Sequence, residues 1–190
     1  MANTVDFHEI NKEVGSCYMN EARDFLRRSK LLYEFSLIGQ MSRRAKLFIE
    51  ICLCYETVLK ALVFFSSEED EQTTYKKAKT HSIPKLLGYL PKEIQDSCKH
   101  LIDINVIEFK IDSRYLISAS LAFREHGIVS KKYYNTIANP VYVQSLITNA
   151  AKLISFAAKY EPDIRGCVLS EIDIEKEEEK NNRINEMLSK

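Results

Sequence analysis

Glycine and proline are scarce in this 190-residue chain, numbering five and four. Their scarcity argues against a strand-and-turn architecture and for long uninterrupted helices. An excess of one charge is also missing. The 27 basic and 27 acidic side chains cancel, so no global field draws in nucleic acid or anionic membrane. The cysteines (Cys17, Cys52, Cys54, Cys98 and Cys167) are odd in number and follow no regular framework, which argues for reduced thiols rather than disulfides. No C-x2-C pair provides metal-ligand spacing, and there is no glycine-rich phosphate loop or serine-nucleophile elbow. Metal and cofactor are both expected to be none. The opening MANTVDFHEINKE is polar and unlike a signal peptide, so a cytoplasmic protein is expected.

What is present is one dominant stretch, Ala45 to Phe65, AKLFIEICLCYETVLKALVFF. Its apolar residues fall on two stripes at helical spacing. After Lys46 the charged residues are Glu50, Glu56 and Lys60. A helix apolar around most of its circumference belongs at the centre of a bundle. The 21 residues are long enough to raise a membrane span. The three charges and the lack of a second such stretch argue against one. Glu56 and Lys60 stand at i,i+4 in the favourable order for a pair on one helix face. Cys52 and Cys54 point about 200° apart on a helix and cannot share a metal or a disulfide.

A first helix is expected from Ser16, as N-cap, to Ile38, ended by Gly39, with Ala22, Phe25, Leu26, Leu32 and Phe35 inward and a basic flank of Arg23, Arg27, Arg28 and Lys30. Ser42 is expected to cap the central helix, and the two helices to form an antiparallel hairpin. After the polar loop SSEEDEQTTYKKAKT, Ser82 and Pro84 open a short helix that Pro91 closes. A third long helix is expected from Lys92 past Ile111, with Ser113 to His126 either continuing it or breaking near Arg114. Gly127 to Asn139 is a connection, and Pro140 opens an alanine-rich helix to about Tyr160. The last twenty residues hold seven acids and four bases and read as a marginal helix. The expected organisation is an N-terminal segment 1–15, a helical bundle 16–162 and a charged tail 163–190.

The order of these signals resembles the HEPN superfamily (higher eukaryotes and prokaryotes nucleotide-binding). The resemblance rests on CYETVLKAL before the loop, His81 to Leu87 after it and Arg114-Tyr115 farther on, and covers roughly residues 16–160. It implies an all-α, up-and-down bundle of four to five helices and a homodimer. In many members of that superfamily an arginine and a histidine four to six residues beyond it form a metal-independent ribonuclease site at the dimer cleft. Here no histidine follows Arg114 at that spacing; His126 comes twelve residues later. On one helix that offset spans roughly 18 Å, too far for one phosphate, so a composite site would take Arg114 and His126 from opposite protomers.

Arg114, Tyr115 and His81 are the candidate RNA- or nucleotide-binding residues, the guanidinium fork being suited to phosphate oxygens. Arg114 and His126 are the candidate catalytic pair. The competing readings are structural: Arg114 paired with Glu108 or Asp112, His81 closing a loop, and Arg124-Glu125-His126 as a solvated helix end. The basic residues of the first two helices, with Lys76, Lys77, Lys79, Lys131 and Lys132 and with Tyr75, Tyr133 and Tyr134, offer an RNA-facing surface; interleaved acids make a solvated face the alternative. The function expected first is binding of RNA, a nucleotide or a protein partner, such as a nucleotidyltransferase, without turnover, in a bacterial toxin–antitoxin or phage-defence system. An endoribonuclease with a rearranged Arg/His pair and a purely structural interaction module are the alternatives.

Overall fold

A computed structural model describes residues 6–36, 41–107, 124–125, 128–162 and 171–189. It is mostly helical. Two long helices, α1 (Phe7–Ser36) and α2 (Met41–Phe65), are followed by the short α3 (Glu71–Ala78), α4 (Ile83–Tyr89) and α5 (Lys92–Cys98). A 3-10 turn (Lys99–Leu101) and α6 (Ile104–Ile107) come next. A minimal antiparallel pairing of β1 (Arg124–Glu125) with β2 (Ile128–Val129) precedes α7 (Lys131–Asn135), α8 (Pro140–Ala157) and α9 (Glu171–Leu188).

The central stretch is the core. Sixteen residues of α2 are buried, from Ala45 to Phe64. The hairpin is antiparallel: Arg28 meets Glu50, the Cys54 thiol donates to the Ala22 carbonyl, and Tyr18 stacks on Phe64. Helix α8 runs antiparallel to α1, since Tyr33 reaches the Pro140 carbonyl while Arg23 clamps Glu161. It therefore runs in the same sense as α2. The Tyr55 hydroxyl ties α2 to two neighbours. It lies 3.0 Å from the Leu146 carbonyl of α8 and 3.1 Å from that of Leu101 in the 3-10 turn, sharing one proton between them. No helix among the described residues is long and apolar enough to cross a membrane.

Several boundaries differ from expectation. Helix α1 begins at Phe7, not Ser16, because Ile10 and Val14 extend its buried stripe by two turns. The Ser16 hydroxyl bonds back to the Lys12 carbonyl inside the helix rather than capping it. Gly15 permits the close crossing there: a Cβ on it would stand 2.5 Å from the Phe65 ring. At the other end of α1, Phe35 is exposed rather than inward. Ser42 lies within α2, and Gly39 is outside the described residues. Pro140 does open its helix, with the Asn139 side chain accepting from Val141 and Tyr142.

The third long helix is broken. Ile102 is extended, and Asp103 restarts the chain: its carboxylate accepts from the Asn105 backbone at 2.8 Å and from the Tyr142 hydroxyl at 2.6 Å. The side-chain bonds make a helix-interior conformation less favourable for Asp103 than a cap. The same contact, after burial, pushes the Tyr142 phenol upward in pKa.

Helix α9 is the largest gain over the sequence reading. Its Arg183 makes two bonds to Glu71 of α3, at 2.9 and 2.8 Å, and its Lys180 approaches Glu13 of α1. Met187 is buried to 1% exposure. Desolvation and the nearby Glu177 raise the Glu13 carboxyl above its ordinary range despite Lys180. Glu71 is itself buried, so removing its partner strands a charge. Arg183→Ala should therefore cost about 2 kcal/mol, below the usual 3–5 for a fully buried pair because Arg183 is partly exposed. Urea unfolding would measure it; a change under about 0.5 kcal/mol, typical of a surface pair, would show that α9 does not hold α3.

Candidate nucleic-acid interface

Two charged residues lie inside α2 where its apolar surface would otherwise close. Glu56 and Lys60 are 8% and 7% exposed, and their charged atoms are 2.9 Å apart. Burial of such a pair is tolerated only with good geometry and further hydrogen bonds. His81 supplies one. Its Nδ1 sits 2.8 Å from the same Glu56 oxygen, while nearly half of its side chain remains exposed. The residue thus links the buried pair on the central helix to the surface. Tyr18 lies beside the pair: the Lys60 ammonium is 5.7 Å from its ring centre, within cation–π range. Burial, followed by Tyr75, Glu21 and Glu56, pushes the Tyr18 phenol up to about 12.

The sequence from Tyr75 to Lys85, which contains His81, carries four lysines and no acid. Lys76, Lys79 and Lys85 are exposed, and none has a carboxylate partner among the described residues. Lys77 pairs with Glu69 and also lies 5.9 Å from the centre of the Tyr89 ring, itself exposed. The Lys79 ammonium lies 6.0 Å from the Tyr75 ring. Aromatic faces beside cations are the elements that hold single-stranded nucleic acid, one stacking bases and the other meeting phosphates. Asp70 caps α3 through the Thr73 amide, which fixes the start of this basic segment and lowers the Asp70 carboxyl in pKa.

The other basic residues are differently occupied. Arg23 is clamped by Glu161, Arg27 by Asp24, and Arg28 by Glu50 while lying over Phe25. Arg44 reaches the Tyr133 hydroxyl. Three of the seven basic residues on the flank of the first two helices are thus held in ion pairs, while Lys30, Arg43 and Lys46 are exposed with no ion pair among the described residues. A groove of about 560 Å3 between α1 and α2 is lined by residues that include Phe25, Arg43, Lys46, Ile49, Glu50 and Leu53.

Of the sequence-predicted site residues, His81 lies beside the buried Glu56–Lys60 pair. Arg114, Tyr115 and His126 lie outside the described residues, as do Glu108 and Asp112. Arg124 sits in the short β pairing rather than at a helix end. Sequence reasoning noted the Glu56–Lys60 pair but not its link to His81, 25 residues later; no local spacing encodes it. Tyr89 was also missed, although TyrLeuPro after a lysine-rich segment places an aromatic beside the cations. Among the described residues no cluster of histidine, cysteine and carboxylate could hold a metal. Burial pushes the Cys54 thiol up to about 12 and Cys52 well upward too, so neither offers a thiolate nucleophile.

These features define an all-α helical bundle with a basic, tyrosine-bearing segment at α3–α4 and a buried Glu–Lys pair tied to it through His81. The chain matches no family model, no curated protein and no solved structure.

Proposed function

We propose that this chain is a HEPN-like helical protein that binds single-stranded RNA, or a nucleotide portion of it, on the α3–α4 face without turning it over. The observation that carries the reading is the acid-free run Tyr75 to Lys85, which holds exposed Lys76, Lys79, Lys85 and His81, with Lys79 beside the Tyr75 ring and Lys77 beside the Tyr89 ring. Lysines would meet phosphates and the tyrosines would stack on bases. A bacterial toxin–antitoxin or phage-defence setting, a homodimer and a protein partner such as a nucleotidyltransferase follow from the HEPN resemblance and belong to the same proposal.

The test is anisotropy of a labelled single-stranded RNA over a range of salt. Binding should weaken as salt rises, with a log–log slope of about −0.7 per phosphate neutralised. In the triple variant Lys76→Ala/Lys79→Ala/Lys85→Ala the slope should flatten by about 2, three phosphate contacts at that value. Absence of binding, or binding indifferent to salt, would overturn the reading. The RNA should remain intact in EDTA; cleavage there would favour the endoribonuclease alternative with Arg114 and His126.

A further inference from the structure

Along α2, residues 45–64 are buried with four exceptions: Lys46, Ile49, Glu50 and Leu53. Their spacing puts all four on one face, and Ser42 and Arg43 continue that face toward the start of the helix. The helix is thus covered all round in its second half and incompletely covered on one face in its first. This face and Phe25 of α1 line the groove of about 560 Å3. Its floor is apolar, made by Ala45, half-buried Ile49 and Leu53, and Phe25. Its rim is basic. Arg43 and Lys46 are exposed and make no ion pair among the described residues. Glu50, the acid among the lining residues, is neutralised by Arg28 at 2.9 Å, and the same guanidinium lies 4.4 Å over the Phe25 ring.

An apolar floor under two unmatched cations calls for an occupant that is both apolar and acidic. Nucleic acid suits it poorly, because aliphatic side chains offer nothing to a phosphate and the Phe25 ring is already capped by Arg28. A helix suits it well. Ser42, Lys46, Ile49 and Leu53 follow the alternating four- and three-residue spacing at which one helix packs along another. They extend over about 16 Å, or three turns. Recognition of a helix in a groove works through apolar anchors at i, i+3 or i+4, and i+7. We propose that the groove between α1 and α2 docks an acidic amphipathic helix of a partner protein, with its aliphatic side chains on Ile49, Leu53 and Phe25 and its carboxylates facing Arg43 and Lys46. The proposal stands apart from RNA binding, since no residue of α3 or α4 lines the groove.

The probe is a fluorescein-labelled helical peptide of about 18 residues, with leucines along one face and glutamates flanking them. A second peptide carries lysines in place of the glutamates, and a third serines in place of the leucines. Anisotropy with the intact chain at low salt should show the glutamate peptide preferred over the lysine peptide by about tenfold, the yield of two exposed charge contacts, and no binding of the serine peptide. Arg43→Glu/Lys46→Glu should invert the preference; both side chains are exposed, so the fold is left alone. Leu53→Ala should weaken both leucine peptides about tenfold, as loss of a central anchor does. Equal binding of the two charged peptides, an unchanged preference in the charge-reversed variant, or no binding at all would overturn the proposal. A homodimer in analytical ultracentrifugation that Ile49→Asp splits would also overturn it, by giving the groove to a second copy. Loss of single-stranded RNA binding in Arg43→Glu/Lys46→Glu would overturn it too, by giving the rim to phosphates. Peptide results as expected with no RNA binding by the wild type would uphold this proposal and overturn only the RNA-binding reading.

Discussion

Lys60→Met should lower the unfolding free energy by about 3 kcal/mol, although methionine is a good helix former of similar length. The loss would come from Glu56, which is left buried without its lysine and with only the His81 contact. Removing one member of a buried pair commonly costs about 3–5 kcal/mol; the remaining bond from His81 places this case at the lower end. The double variant Glu56→Gln/Lys60→Met, which removes both charges, should recover most of the stability, because a buried pair is seldom better than neutral groups that fill the same space. Urea unfolding of the two single variants and the double closes the cycle. A cost below about 0.5 kcal/mol for Lys60→Met, the range of surface substitutions, would show that the pair is solvated.

Tyr55→Ala should be more damaging still, by about 4 kcal/mol. Tyr55 is fully buried and is among the largest such side chains in the core. Large aromatic deletions cost about 3–5 kcal/mol through lost burial and the cavity left behind. Its hydroxyl also joins α8 to the 3-10 turn, while burial drives its phenol far upward in pKa so that it stays a neutral donor. Tyr55→Phe separates the two contributions. It keeps the ring and should cost about 1–2 kcal/mol for the unmet carbonyls. If Tyr55→Phe costs as much as Tyr55→Ala, the hydroxyl rather than the ring holds the three elements together. Against a total stability of about 5–15 kcal/mol, either result is measurable by circular dichroism in urea.

The central helix, its antiparallel partner and the opening of α8 at Pro140 are legible in the sequence because each is encoded locally, by helical periodicity or by a proline after a capping side chain. The i,i+4 spacing of Glu56 and Lys60 belongs to the same class. Other features depend on residues far apart in the chain. The break at Ile102 follows from Asp103 meeting Tyr142, 39 positions later. The docking of α9 follows from Arg183 meeting Glu71, 112 positions earlier. Neither pair differs in type from residues that commonly sit in water. The early start of α1 was hidden by polar neighbours around Ile10 and Val14, whose spacing alone is a weak signal. For the candidate site, His81 was recognisable as an isolated histidine, but its orientation required the fold.

The grip of α9 on α3 also gives the molecule an order of assembly in time. Synthesis runs from α1 to α9, so Glu71 emerges long before the arginine that satisfies it. During that interval Glu71 is an uncompensated carboxylate and Met187 is not yet buried. A nascent chain would carry α3 before the helix that pairs with it has been made, and this end of the molecule would be the last to mature.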